Sequence, residues 1–120
     1  MNTNAETYNF LKNTVVNADV LQALKYVPDE SVQLTFTSPP YYNARDYSTY
    51  SSYEIYLDFL EEVFKETHRI TKEGRFLIVN TSPVITPRVN RSHSSMRHAI
   101  PFDLHPRIVK SGWEFIDDII

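Results

Sequence analysis

The run Val32–Thr37 is rich in β-branched and aromatic residues. A single residue, Ser38, separates it from two adjacent prolines, Pro39 and Pro40. Proline donates no backbone hydrogen bond and fixes its own φ, so a strand has to stop at this point. From Tyr53 to Ile70, apolar residues then recur at helical spacing with acidic residues on the opposite face. A short buried strand followed by a long amphipathic helix predicts an α/β fold.

The rest of the chain continues this alternation. Residues 14–24 indicate a strand end that leads into a short helix. Arg75–Val79 predicts a second strand, with Gly74 closing the preceding helix. Residues 102–110 predict another helix, and Trp113–Ile120 predicts a third strand. This order predicts part of a doubly wound, largely parallel sheet.

Two polar residues follow directly after predicted strands, Ser38 after the first and Asn80 after the second. Ligands of parallel sheets bind at the carboxyl ends of the strands, so both residues are candidates for a site. An asparagine at a strand end also commonly caps a turn. For Asn80, a place in a cofactor cleft and a turn cap are therefore equally good interpretations.

The composition excludes several kinds of chemistry. The chain has no cysteine, which rules out disulfides, thiolate metal sites and covalent catalysis through a thiol. Its four histidines are scattered without the spacing of metal ligands, so we expect no metal. No apolar run approaches the length of a membrane span, and the polar amino terminus does not resemble a signal peptide. We therefore expect no membrane association and a cytoplasmic location.

A net charge of −3 argues against a free-standing nucleic-acid binder, because neutralisation of phosphates supplies most non-specific affinity. Any contact with DNA has to be local or shared with another chain. One basic cluster does stand between Pro87 and Pro101. It consists of Arg88, Arg91, His93, Arg97 and His98. A solvated loop and a local DNA contact explain it equally well.

The segment Thr37–Tyr42 is suited to one kind of substrate. The two prolines withdraw amide donors and hold carbonyl groups in set directions. Tyr41 offers a flat face on which a base extruded from a helix could stack. The exocyclic amino nitrogen of cytosine or adenine has a lone pair that is delocalised into the ring. Hydrogen bonds from the amino group to the Ser38 hydroxyl oxygen and the Pro39 carbonyl would make this nitrogen nucleophilic. Taken alone, Ser-Pro-Pro-Tyr also fits an ordinary proline turn.

In its context, this segment resembles the catalytic motif of DNA methyltransferases that act on amino groups, in which Asp, Asn or Ser precedes Pro-Pro and an aromatic residue. The similarity covers close to the whole chain. It extends over residues 17–24, 29–34, 67–80, 100–103 and 112–120. Serine before the prolines is more typical of the cytosine-amino enzymes, whereas aspartate is usual in the adenine-amino enzymes.

The resemblance implies S-adenosylmethionine as cofactor and double-stranded DNA with a flipped base as substrate. It implies that the base is held by the motif residues Ser38, Pro39, Pro40 and Tyr41. It also places Asp19 near the adenosine part of the cofactor, with Thr37 and Asn80 as further cofactor residues. A helix cap is the alternative role of Asp19.

The family's glycine-rich turn, which holds the methionine part of the cofactor, has no counterpart among the two glycines of this chain. Residues 1–120 are therefore expected to be the amino-terminal catalytic part of a methyltransferase domain without its target-recognition region. Such a part would need a missing carboxyl-terminal half, a second subunit or self-association, and it would be inactive alone. The alternatives are a non-catalytic remnant or regulatory subunit, or an enzyme acting on adenine, RNA or a protein glutamine.

Overall fold

The structure is a computed structural model that describes residues 3–43, 49–88, 90–92 and 94–120. Helices and strands are interspersed along the chain, as in an α/β fold. The elements are α1 (Thr3–Leu11), α2 (Val20–Leu24), β1 (Val32–Thr37), α3 (Tyr53–Ile70), β2 (Thr71–Val79), β3 (Val84–Thr86), β4 (Met96–His98) and α4 (Ile100–Lys110).

The central unit is the parallel pair of β1 and β2, with α3 as the connection between them. The paired residues run from Leu34 and Phe76 to Thr37 and Val79. The pairing continues one step further, because the Asn80 amide donates to the Thr37 carbonyl at 2.8 Å. The carboxyl ends of the two strands are thereby level, and the predicted α/β fold with parallel strands is confirmed for this strand pair.

Helix α3 supplies most of the hydrophobic core. It starts where the Ser52 hydroxyl accepts a hydrogen bond from the Ile55 amide, an N-cap that satisfies one of the free amides of the first turn. Its buried face repeats at three- and four-residue intervals through Tyr56, Leu60 and Phe64. Leu77 and Val79 of the sheet pack against this core from one side. The long helix therefore covers one face of the strand pair and fixes its position.

An ion-pair network joins α4 to α3. Arg107 donates to Glu54 and Glu61 at 2.8 Å, and it also contacts Asp58. Hydrogen bonds from Arg107 lower the pKa of Glu61, and hydrogen bonds to Asp58 and Glu61 raise the pKa of Arg107. Both shifts favour the charged forms of Glu61 and Arg107. The network fixes the angle of α4, whose Ile100 and Leu104 are buried in the core.

The other face of the strand pair is apolar and exposed. Its residues are paired across the two strands, Leu34 with Phe76 and Phe36 with Ile78, and each keeps 44% to 67% of its surface. Within the described part of the chain nothing covers these four side chains. Among the described residues, helices therefore cover only one face of this sheet.

Four expectations from the sequence were wrong. Trp113–Ile120 forms no strand, since no described strand lies beside it to pair with. Residues 14–19 likewise hold no strand end. Gly74 does not end the long helix, which stops at Ile70; it lies within β2 at a register shift with φ +72°. Between the strand predicted to end at Val79 and the helix predicted from residue 102, the sequence indicated no further strand, yet this stretch contains the antiparallel strands β3 and β4.

Two helices were misjudged for identifiable reasons. Helix α1 was not predicted, because its residues show little separation of apolar and polar faces. Helix α4 begins two residues earlier than predicted, since Pro101 lies in its first turn, where proline is favoured.

In the described ranges, no helix is both long and apolar enough to span a bilayer. The same ranges contain no group of three His, Cys, Asp or Glu side chains placed to hold a metal ion.

Candidate active site

A cleft of about 690 Å³ opens at the carboxyl end of β1, where it meets the start of α2. Its rim is built from Asp19, Thr37, Ser38, Pro39 and Pro40. Its apolar wall includes Tyr50, Phe59, Leu60 and Phe64. The volume is that of a pocket for a small molecule or a single base. Four of the residues predicted from the motif and one distant residue, Asp19, therefore meet at a single cleft.

Asn80 and Ser38 are joined by a direct hydrogen bond. The Asn80 Nδ2 donates to the Ser38 Oγ at 2.8 Å, while the Asn80 backbone amide donates to the Thr37 carbonyl. This two-point attachment holds the Ser38 side chain at the level of the strand ends. A hydroxyl oxygen has two lone pairs, so one acceptor position and the hydroxyl proton stay free for a ligand. Asn80 thus positions Ser38, which lines the cleft, although Asn80 itself is not one of the lining residues.

The two proline carbonyls have different surroundings. The Pro40 carbonyl accepts a hydrogen bond from the Tyr56 hydroxyl at 2.8 Å. The Pro39 carbonyl has no hydrogen-bond partner among the described residues. Pro39 itself is buried, so its backbone is held firmly. Of the two proline carbonyls, that of Pro39, which the motif predicted as an acceptor, is therefore the one left for a ligand.

Tyr56 was not predicted as a site residue, because its apolar ring fits the buried face of α3 like any core residue. The side chain is fully buried, and burial raises the pKa of its hydroxyl well above the usual value. The hydroxyl therefore remains a neutral donor to Pro40 throughout the physiological range. Only the position of the Pro40 carbonyl, which the sequence does not reveal, identifies this role.

We expect Tyr56→Phe to lower the free energy of unfolding by about 1 to 2 kcal/mol, because it leaves the Pro40 carbonyl without its donor while the ring still fills the core. Denaturant unfolding measures the change. Tyr26→Phe is the matched control, since the exposed Tyr26 hydroxyl bonds no described residue. Equal effects of the two substitutions would contradict a structural role for the Tyr56 hydroxyl.

The two tyrosines after the prolines are fixed against the core. Tyr41 is half-buried and packs on the core, and it is not among the residues lining the cleft. Tyr42 contacts the rings of Tyr53 and Tyr56 at centroid distances of 5.1 and 5.6 Å. It also meets the His98 ring edge-on at 4.9 Å. The motif is thus held from three sides: β1, α3 and the strand β4.

Asp19 caps a helix and also lies at the cleft. Its carboxylate accepts a hydrogen bond from the Gln22 amide at 3.0 Å and so caps α2. It also lies on the rim of the cleft. A carboxylate has acceptor positions beyond the one used by the cap, so the cap does not exclude contact with a ligand.

A second pair of residues that the sequence did not reveal shapes the cleft. The Asn43 side chain donates to the Tyr50 carbonyl at 3.0 Å and accepts from the Tyr50 amide at 2.7 Å. Asn43 has φ +44°, a left-handed conformation that asparagine tolerates better than most residues. This reciprocal bond brings Tyr50 to the cleft wall and against the Tyr56 ring, 5.2 Å away.

Fold and site together define an α/β domain of the methyltransferase type. The sequence pattern of the N6/N4 DNA methylases matches residues 32–120. The chain belongs to this family of DNA methylases.

The relatives are much longer than this chain. It is 31% identical to the Type II beta methyltransferase M.BslI of Bacillus sp. strain NEB-606, over 96% of the chain and 13% of that protein. It is 29% identical to the Type II methyltransferase M.MwoI of Methanothermobacter wolfeii, over 92% of the chain and 17% of that protein. The chain therefore spans less than a fifth of the length of these two relatives.

A solved structure has the same fold. TTHA0409 of Thermus thermophilus, a candidate DNA modification methylase whose structure was determined in complex with S-adenosyl-L-methionine, superposes with a TM-score of 0.68 at 28% identity. The match covers 81% of this chain and 38% of the neighbour.

Proposed function

We propose that the protein containing this chain transfers a methyl group from S-adenosylmethionine to the exocyclic amino group of a base in double-stranded DNA, with cytosine as the preferred base. The observation that carries this proposal is the arrangement of Ser38, held by Asn80 at 2.8 Å, beside the free carbonyl of Pro39. These are two oxygen acceptors on one rigid segment.

The chemistry of an amino group explains why two fixed acceptors matter. Its nitrogen is planar and a poor nucleophile while the lone pair is shared with the ring. In the proposed reaction, the Ser38 Oγ and the Pro39 carbonyl each accept a hydrogen bond from the amino group, which favours a pyramidal nitrogen with a localised lone pair. As the nitrogen bonds the methyl carbon, the carbon–sulfur bond of the sulfonium breaks, and one amino proton is released to solvent. Because both acceptors are held before the substrate binds, little reorganisation remains for the reacting complex. No covalent bond to the protein is involved.

The base has to leave the double helix to reach Ser38. The cleft is walled by aromatic and apolar side chains, which replace part of the stacking that an extruded base loses. In this proposal Tyr41, next to the prolines, supplies a stacking face once DNA is bound, while Tyr42 keeps the loop anchored to the core.

The described residues fit one part of the cofactor. S-adenosylmethionine supplies an electrophilic methyl group on a sulfonium. Asp19 presents a carboxylate at the rim of the cleft, and carboxylates suit the hydroxyl and amino groups of an adenosine. Thr37 lines the same cleft, and we propose that both residues lie on the adenosine side. Asn80 belongs to the cofactor site only indirectly in this proposal, through Ser38.

Other parts of the protein are needed for the methionine end of the cofactor and for DNA sequence recognition. The two glycines of this chain are both engaged elsewhere: Gly74 lies within β2, and Gly112 packs against the His68 ring. We propose that a glycine-rich turn and a recognition region come from further residues of the same protein or from a second subunit.

Adenine is the second candidate base. The chain is 34% identical to the DNA adenine methyltransferase YhdJ of Escherichia coli K12 over 73 residues, 58% of the chain. Serine at position 38 favours cytosine, by the resemblance of the motif to cytosine-amino enzymes. The two bases present the same kind of amino group, so the acceptor pair serves either.

We expect DNA treated with the complete protein and isotope-labelled S-adenosylmethionine to contain labelled N4-methylcytosine. Mass spectrometry of the digested nucleosides identifies the base. A parallel reaction with the Ser38→Ala variant controls for contaminating methyltransferases. Label found only in adenine would reverse the base preference but leave the family and the amino chemistry in place, whereas no labelled base at all would contradict the proposed activity.

A further inference from the structure

One segment of the chain carries basic residues without any acidic ones. From Arg75 to Phe102 there are four arginines and no aspartate or glutamate, although the whole chain has a net charge of −3. Three of these arginines belong to the β3–β4 hairpin, here residues 84–98: Arg88 and Arg91 lie between the two strands, and Arg97 lies within β4. All three are exposed, and none forms an ion pair with a described residue. His93 lies outside the described residues.

Two arginines outside the hairpin, Arg69 and Arg107, are paired with acidic residues of the fold. Arg69 bonds Asp29 and Glu66, and Arg107 bonds three acidic residues of α3. The acidic residues are therefore used to neutralise arginines within the fold, while the hairpin arginines are left without such neighbours. Exposed guanidinium groups without internal partners are available for an external anion.

The hairpin presents its arginines away from the core. Val84 pairs with His98 and Ile85 pairs with Arg97, so Val84 and His98 share one face and Ile85 and Arg97 share the other. Val84 is buried and His98 is half-buried, whereas Ile85 and Arg97 are exposed. The alternation of a strand therefore fixes Arg97 on the outer face.

The base of the hairpin is attached to the catalytic segment. On the inner face, the His98 ring contacts Tyr42 at 4.9 Å and Tyr53 at 4.5 Å. Tyr42 is four residues from Ser38 along the chain. Val84 at one end of the hairpin and Ile100 just after the other are both part of the hydrophobic core. The arginines thus lie on a hairpin whose first and last residues are fixed beside the residues proposed to bind the DNA base.

We propose that the β3–β4 hairpin binds the phosphate backbone of double-stranded DNA next to the extruded base, through Arg88, Arg91 and Arg97. The proposal rests on the proposed function for its substrate, and it adds the surface that holds that substrate. Guanidinium groups match phosphate oxygens in charge and geometry. Contacts of this kind position the duplex without reading its sequence. They also explain how an acidic chain approaches DNA.

The test replaces the three arginines by glutamine in the complete protein, as Arg88→Gln, Arg91→Gln and Arg97→Gln together. The control carries Lys65→Gln, Lys72→Gln and Arg75→Gln, which removes the same charge from exposed positions on α3 and β2. Duplex binding is measured over a range of salt concentrations. The hairpin variant is expected to reduce the slope of log K against log salt by about 2 to 3, since each phosphate contact contributes about 0.9.

The two variants also differ in the expected kinetics. The hairpin variant should raise KM for DNA for all sequences alike and leave the affinity for S-adenosylmethionine unchanged, while the control behaves as the unmodified protein. A slope in the hairpin variant equal to that of the control, in a protein that methylates DNA, overturns this proposal and leaves the proposed function standing. A complete protein that neither binds nor methylates duplex DNA overturns both.

Discussion

Replacement of Ser38 by alanine in the complete protein is expected to slow methyl transfer by about 100-fold or more and to change the affinity for S-adenosylmethionine little. The hydroxyl oxygen is one of the two acceptors proposed for the amino protons, and the loss of one preorganised hydrogen-bonding group costs about 10² to 10³ in rate. Single-turnover kinetics at saturating DNA separates this step from binding and product release.

Ser31→Ala is the matched control for this experiment. The Ser31 hydroxyl bonds the Pro28 carbonyl just before β1, at the opposite end of the strand from the cleft. The control should leave the transfer rate unchanged, even if it costs some stability. Equal transfer rates in the Ser38→Ala variant and the control would remove Ser38 from the chemistry.

Asn80 allows the same experiment to test how Ser38 is positioned. If Asn80 acts only by holding Ser38, the double variant Ser38→Ala with Asn80→Ala transfers no more slowly than Ser38→Ala alone, as expected for two residues in one hydrogen-bonded unit. Additive losses in rate, or a marked fall in cofactor affinity caused by Asn80→Ala, would instead favour a direct contact of Asn80 with the cofactor.

The local elements with strong periodic signals were predictable. The bounds of β1 and the start of α3 agree with those read from the sequence, and α2 lies within the predicted residues 14–24, because the two prolines, the apolar stripe from Tyr53 to Ile70 and the cap at Asp19 each act within a few residues. Thr37, Ser38, Pro39 and Pro40 of the motif segment also line one cleft. Its rim follows from the general rule that parallel strands place their carboxyl ends at one edge.

The predictions that failed, and the roles that were missed, concern residues whose hydrogen-bond partners lie far away in the sequence. Residues 113–120 have a strand-like composition, but a strand exists only when another strand accepts its hydrogen bonds. The strands β3 and β4 have three residues each, too few for a periodic signal. The roles of Tyr56 and Asn80 in the site follow from hydrogen bonds across 16 and 42 residues, which no local pattern contains.

Residues 1–120 alone are expected neither to methylate DNA nor to bind S-adenosylmethionine with the affinity of a complete site. A cofactor of this size needs donors for its charged methionine end, and closely approaching backbone amides normally require glycine. Gly74 and Gly112 both have positive φ for structural reasons, and a Cβ at Gly112 would lie 2.8 Å from the His68 ring. Neither is among the residues lining the cleft. The cleft therefore offers the adenosine side only.

The loss of several buried hydrogen bonds, at about 1 kcal/mol each and more where charges take part, weakens binding by about 100-fold or more. The same chain exposes the apolar sheet face formed by Leu34, Phe36, Phe76 and Ile78, so it is also expected to self-associate or to bind the part of the protein that covers this face. Titration calorimetry with the purified chain, together with sedimentation at the same concentration, measures both properties. A micromolar dissociation constant for a monomeric chain would mean that residues 1–120 already hold the whole cofactor, and that the methionine end is bound without a glycine-rich turn.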